Sequence, residues 1–372
     1  MHSHGDPINI NKQTRISLSL NLIIMIITNL GKFHCIIVCK AYSLLNSNIV
    51  LESKIPVLVQ LMLFICLSTI GNSQEIYSIQ SFQYQNSKTF GFVSMTDIFR
   101  HSHHPDSLVI DPQNLGDLKF EDDNAHTVNE PYRTRFLSRL NIALSDSIFI
   151  YSFKLDRCFS FPLSGLNLVA HLTMYGPDFP ITQDQYLIGF EFGKDGLPYD
   201  LLGEYYYNAI ASIASKNPFQ TGETQRIIWE KTLEESMPDF ELPEIAKRWK
   251  NEWIKTVVRN EVYRFTSVFY VYYLQSMERE TGGGGRHLLV ANSKTGKVIF
   301  NTFYFDSEGT YLLPLSGVDE MDNLEMGQWT GKLFPNKPPI IYGFYGNSFG
   351  CPSIDFIDKD LSPIYIRCDN RH

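Results

Sequence analysis

The chain has little of what several functional classes require. Positive charge is in deficit, with 32 Lys and Arg against 40 Asp and Glu over 372 residues, a net of −8. Subtracting the five basic and two acidic residues of positions 1–73 leaves 27 and 38, a net of −11 for the remainder. A body this acidic has no general affinity for phosphate backbones, which excludes a nucleic-acid partner, and anionic lipid surfaces are disfavoured for the same reason. No N-x-Ser/Thr sequon occurs, which leans towards a bacterial rather than a eukaryotic exported protein. No internal repeat is visible. The tetraglycine at 282–285 lacks the Lys-Ser/Thr of a phosphate loop and reads as a flexible break.

Cysteine is scarce as well. Of six, Cys35, Cys39 and Cys66 fall in the first 73 residues, leaving Cys158, Cys351 and Cys368. An odd count in an oxidising compartment means one pair and one free thiol. Cys351 and Cys368 flank two short strand-like runs and are the natural pair; closing that loop is worth about 3 kcal/mol. The alternative is three buried thiols.

What the first 73 residues do have is apolar sequence, at 16–30 and again at 55–70. Lys54 precedes the second run, and Gly71 and Ser73 supply small residues at −3 and −1 of a cleavage site. The reading is a cleavable export signal, with a periplasmic or secreted product; the alternative is a membrane anchor retained through 55–70. Met1 to Ile49 fits neither a domain nor a usual n-region, and an over-long start explains it. Ile65 before Cys66, where a small residue is wanted, argues against a lipoprotein.

Beyond the leader the pattern reads as α+β: antiparallel sheets, a central helical segment and a C-terminal β-meander. Strands are expected in 75–96, in the runs between 147 and 193, as one buried strand over 265–275, and in "HLLVAN", "KVIFNTFYF" and "TYLLPL". Helices are expected at 131–144, 203–215, 221–236 and 242–260, the last with Ile245, Trp249, Trp253 and Val257 on one stripe. The expected division is a domain at 74–281 and a β-rich region at 282–372, which the reading leaves free to belong to the same domain.

"HSHHPD" at 101–106 is the foremost candidate for chemistry. His101 and His103 form an H-x-H pair, and Asp106 or His126 could complete a site for Zn²⁺ or another divalent transition metal. Pro105 and the loop-like composition of 101–131 favour a solvated loop instead, and no cofactor is otherwise indicated. "GNSFG" around Ser348 matches G-x-S-x-G, but Pro352 and extended residues follow where a helix is needed. Cys158 has Arg157 beside it, which could lower its pKa, yet it lies in a strand-like run where a buried thiol is usual. Three consecutive tyrosines, Tyr205, Tyr206 and Tyr207, put at least one ring away from a helix's buried face, which suits contact with a protein or carbohydrate.

The sequence thus points to an exported, non-catalytic binding or interaction protein, its only membrane contact an uncleaved N-terminal segment. The rival reading is a metal-dependent hydrolase using 101–126. If the signal is cleaved as read, N-terminal sequencing of the exported product starts at Gln74; a product retaining 55–70 in the membrane fraction refutes it.

Overall fold

The run Ile148–Tyr151 is apolar at every position, so a strand there presents apolar side chains on both faces and needs cover on both. The computed structural model meets that demand with an architecture that is mostly β. It describes residues 75–83, 89–95, 125–173, 185–193, 208–238, 247, 256–280, 282–318, 327–348 and 350–368.

Within residues 74–372, which form one compact unit, the first described strands are β1 (Ile76–Ser78), β2 (Gln80–Gln83), β3 (Thr89–Ser94) and β4 (Ala125–Thr127). Helix α1 (Glu130–Arg139) follows, then β5 (Ser147–Ser152), β6 (Arg157–Pro162), β7 (Asn167–Leu172) and β8 (Tyr186–Gly193). Next come β9 (Ala209–Ala214), β10 (Thr224–Arg226), β11 (Glu230–Thr232), β12 (Val257–Thr266) and β13 (Tyr270–Arg279). The order continues with β14 (Gly284–Asn292), β15 (Val298–Phe305), β16 (Thr310–Leu312), β17 (Trp329–Gly331) and β18 (Ile340–Tyr342). Strands β19 (Tyr345–Asn347), β20 (Ser353–Phe356) and β21 (Ile364–Arg367) complete it.

A nine-stranded sheet, ordered β10-β17-β18-β20-β21-β1-β9-β5-β6, is the spine. All its pairs are antiparallel except β1 with β21, where Ile76 stands opposite Ile366. The sheet curls into a half-barrel. Phe153, just after β5, stacks on Tyr342 of β18 at 4.7 Å between centroids, although four strands of the order lie between them. The Tyr151 hydroxyl meets Thr224 Oγ1 of β10 at 2.5 Å and donates to Asp156 Oδ1 at 2.5 Å.

Among the described residues three large cores and a small fourth one, Phe92 with Val169 and Leu187, follow from the period-two alternation. Inside the curl lie Ile76, Phe149, Tyr151, Ile210, Ile340, Ile354 and Ile366. On the outer face Tyr77, Ile148, Ile150, Ala209 and Ala211 pack against the antiparallel sheet β2-β3-β8-β7-β4 and against α1. Asn129 caps that helix by accepting the Tyr132 N–H at 3.0 Å, Pro131 suits its first turn, and Tyr132, Phe136 and Leu137 are buried. At the other end of the spine Ile341, Phe344 and Ile357 meet the meander β11-β12-β13-β14-β15 through Tyr272, Leu274, Leu288 and Val290.

The contact between meander and spine is also polar. Tyr272 and Thr330 share a 2.8 Å hydrogen bond, and Thr330 Oγ1 donates to the Ile340 carbonyl at 2.8 Å. Gln328 is fully buried and all four of its polar valences are used. Its Oε1 accepts from Trp229 Nε1 at 3.3 Å and from the Ser316 N–H at 3.2 Å; its Nε2 donates to the carbonyls of Pro314 at 2.9 Å and Gly343 at 3.1 Å. Cys351 and Cys368 are joined in a disulfide across β20 and β21, with Cα atoms 5.6 Å apart.

The α+β expectation with a central helical segment is overturned. Residues 209–214 form β9, because "AIASIA" alternates once its alanines count as apolar: Ala209 and Ala211 face one core and Ile210 the other. In 221–236 the chain makes β10, β11 and a single 3₁₀ turn at Glu234–Ser236, with Ile227 and Trp229 buried and Ile228 exposed between them. Val257 opens β12; the stripe that joined it to Ile245 had a step of four, which is also a multiple of two. Ile245, Trp249 and Trp253 themselves lie outside the described residues. The single strand read over 265–275 is a hairpin, the end of β12 turning into β13. Gly284 and Gly285 sit inside β14, opposite Glu278 and Met277, so the meander runs across the expected boundary at 282.

Replacing Gln328 by Leu leaves the Trp229 and Ser316 donors buried without a partner, at about 1–3 kcal/mol each. Urea unfolding of Gln328→Leu is therefore expected to show a loss of about 3 kcal/mol or more; a change near zero would refute the role given to this side chain.

Candidate functional site

Strand β20 alternates Ile354 and Phe356 into the curl, which turns Asp355 to the opposite face. There the end of β15 and the short β16–β19 ribbon stand over it. The result is a cleft of about 120 Å³ whose lining includes Tyr304, Thr310, Tyr345, Asn347, Ser353 and Asp355.

Its walls are aromatic. The Tyr304 ring lies flat on Phe344, 4.8 Å between centroids and 9° between planes, and meets Tyr345 edge-on at 4.9 Å. The Tyr304 hydroxyl donates to Asp355 Oδ2 at 3.3 Å, and the Tyr345 hydroxyl accepts the Phe305 N–H at 2.7 Å. Within the ribbon the Tyr311 ring of β16 lies over Gly346 of β19; a Cβ there would fall 2.1 Å from the ring.

Burial sets the electrostatics. Loss of water raises the Asp355 carboxyl above its ordinary value, against the smaller opposing effect of the Tyr304 hydrogen bond. Burial also pushes Tyr345 up to about 12 and Tyr304 well above the usual phenol range, so both hydroxyls stay protonated near neutrality. Chemically the cleft offers a desolvated carboxylate, an amide at Asn347 and aromatic surface. Among the described residues of its lining Asp355 is the one carboxylate, and no histidine accompanies it.

The residues expected from sequence to carry a site fall differently. His101, His103 and Asp106 lie outside the described residues, as do Tyr205, Tyr206 and Tyr207. His126 is half-buried on β4 opposite Ala170, with its ring 6.0 Å from that of Tyr186. His171, opposite the adjacent Ala125, points to the other face of that sheet, where it is buried against Phe82 at 4.2 Å with Nε2 3.3 Å from Glu191 Oε2. Among the described residues no group of three His, Cys, Asp or Glu side chains could hold a metal ion. None of their helices is long and apolar enough to cross a membrane, and 55–70 lies outside them.

Ser348 follows a strand but precedes β20 rather than a helix, and its N–H is tied to the Gly309 carbonyl at 2.9 Å. Cys158, on β6, has its thiol pushed up to about 11 by burial and directed at Asn217 Oδ1, 3.3 Å away. Arg157 instead lies 6.0 Å from the Phe159 ring centroid. The thiol is therefore protonated near neutrality and not activated.

No family model, curated protein or solved structure matches the chain.

The raised Asp355 value has a definite sign for stability. The folded state holds this proton more tightly than the unfolded chain, so stability falls as pH rises from the unfolded aspartate value, about 3.9, through the raised folded one. Asp355→Asn removes that proton. The melting temperature of the variant relative to wild type is expected to climb as pH is raised from acid to neutral; parallel curves would refute the assignment.

Proposed function

We propose that this is an exported, non-catalytic binding protein whose cleft at Tyr304–Asp355 takes one sugar unit of a carbohydrate ligand. The observation that carries the reading is a water-poor carboxylate set against tyrosine rings. Sugars present hydroxyls that a carboxylate and an amide can accept from and donate to, and C–H faces that lie on aromatic surface. The small volume suits a single unit held at the surface. The Cys351–Cys368 disulfide supports an oxidising destination, as does the leader's signal-like pattern. Catalysis is not part of the proposal.

Titration of the full chain with a panel of soluble mono- and oligosaccharides, followed by calorimetry, tests it. At least one sugar is expected to bind, and Asp355→Asn to weaken that binding by about tenfold or more, as for a lost hydrogen bond to a charged group. Failure of every sugar to bind, or binding indifferent to Asp355, would overturn it.

A further inference from the structure

The turn between β12 and β13 breaks a local rule. Ser267 and Tyr270 close it, the Ser267 N–H donating to the Tyr270 carbonyl at 2.8 Å and Ser267 Oγ accepting the Tyr270 N–H at 3.2 Å. The two residues at the apex are Val268 and Phe269. Such a tight hairpin favours Asn, Asp or Gly. A β-branched and an aromatic residue contribute nothing to the turn itself, and neither adopts a positive φ. Both side chains are directed into water, Val268 80% and Phe269 62% exposed. Exposed apolar side chains of this size at the tip of a rigid hairpin are expected where something binds.

The neighbouring hairpin shows what kind of partner. The β14–β15 turn lies against this apex: the Ser293 N–H donates to the Phe269 carbonyl at 2.9 Å and Ser293 Oγ to the Val268 carbonyl at 3.2 Å. Asn292 Oδ1 fixes that turn by accepting the N–H groups of Lys294 and Thr295, each at 3.0 Å, and Gly296 takes the φ of +68° it requires. The turn exposes Lys294 and Lys297. Two valence-satisfied turns thus hold an apolar pair and a cationic pair side by side.

Acidic side chains are confined to one end of strands β12 to β15. From Val262 to Met277 and from Gly284 to Phe305 these strands carry Arg264, Arg286, Lys294 and Lys297 and no Asp or Glu. Glu261, Glu278, Glu280 and Asp306 lie at the opposite end together with Arg259 and Arg279, Arg259 pairing with Glu261 and Glu278; on the adjacent β11, Glu230 stands opposite Arg264. In a chain of net charge −8, an acid-free hairpin end bearing lysines beside a projecting Val-Phe pair is a local exception.

We infer that these two hairpin ends form a docking surface for an anionic lipid bilayer, Val268 and Phe269 entering the headgroup region and Lys294 and Lys297 meeting acidic headgroups. The chemistry is that of interfacial anchoring: aromatic and aliphatic side chains gain by leaving water, and lysines within a Debye length of the surface gain from its negative potential. The remainder of the acidic body is repelled, which orients the molecule with this end down.

The test compares the full chain with Val268→Ser/Phe269→Ser and, separately, Lys294→Gln/Lys297→Gln. Each is sedimented with vesicles of phosphatidylcholine alone and of an equimolar phosphatidylcholine–phosphatidylglycerol mixture. The apolar segments at 16–30 and 55–70 are common to all three proteins, so differences between them report on the hairpin ends. Partitioning to the anionic vesicles is expected to fall about tenfold or more in either variant, with little difference among the proteins on neutral vesicles. The lysine variant is also expected to lose most of the salt dependence. Added to anionic vesicles, Phe269→Trp is expected to give a blue-shifted emission relative to wild type. Equal partitioning of wild type and both variants would overturn the inference. So would lipid-free self-association abolished by Val268→Ser/Phe269→Ser, which would make a second copy the occupant.

Discussion

The structure depends on a sheet that cannot be left bare on either side. A strand such as Ile148–Tyr151 places isoleucines on one face and Phe149 and Tyr151 on the other, and neither set tolerates water. Curling the nine-stranded sheet hides one face within itself. The other face is too long for a single cover, so α1 with the β2-β3-β8-β7-β4 sheet takes one half and the β11–β15 meander the other. The fully satisfied Gln328 sits on the spine where the meander's half of the outer face is covered and ties several passing segments together. It contributes positional specificity where apolar packing alone would allow sliding.

The sequence was most readable where β-branched and aromatic residues crowd together and least readable where two periods coincide. The stretches around 147–152 and 298–305 carry β-branched and aromatic residues that suit a pleated surface, and both are strands. "NAIASIAS" could be read as either a helix or a strand, because alanine is a good helix former and also small enough to be buried in a crowded sheet; tertiary packing decided. A step of four, as from Trp253 to Val257, fits one turn of helix and two repeats of a strand equally well. The hairpin at Val268–Phe269 was hidden because its apex carries no turn residue. It looked like the middle of a buried strand.

The cleft was invisible for a different reason. In "SIDFI" the acid sits at an alternate position, which on any half-buried strand means solvent. That it instead faces Tyr304 follows from β15 and the β16–β19 ribbon covering the outer face, a fact of long-range topology rather than local pattern. The histidines of 101–106 drew notice by type and spacing alone. Of the four residues weighed for a metal, only His126 falls among the described residues, and it stands on a strand beside Tyr186.

The parallel pairing of β1 with β21 has a consequence for how the molecule comes into being. Glu75 and Arg367, 292 positions apart, form an ion pair beside that junction. The middle of the spine is thus assembled from the two ends of the described chain. A ribosome has to make β21 before the central strand pair can exist. Pairing so distant in sequence costs loop-closure entropy and forms late, after hairpins such as those of the β11–β15 meander have their strands to hand. Until that pair closes, the apolar faces of the spine stay uncovered and open to a holdase.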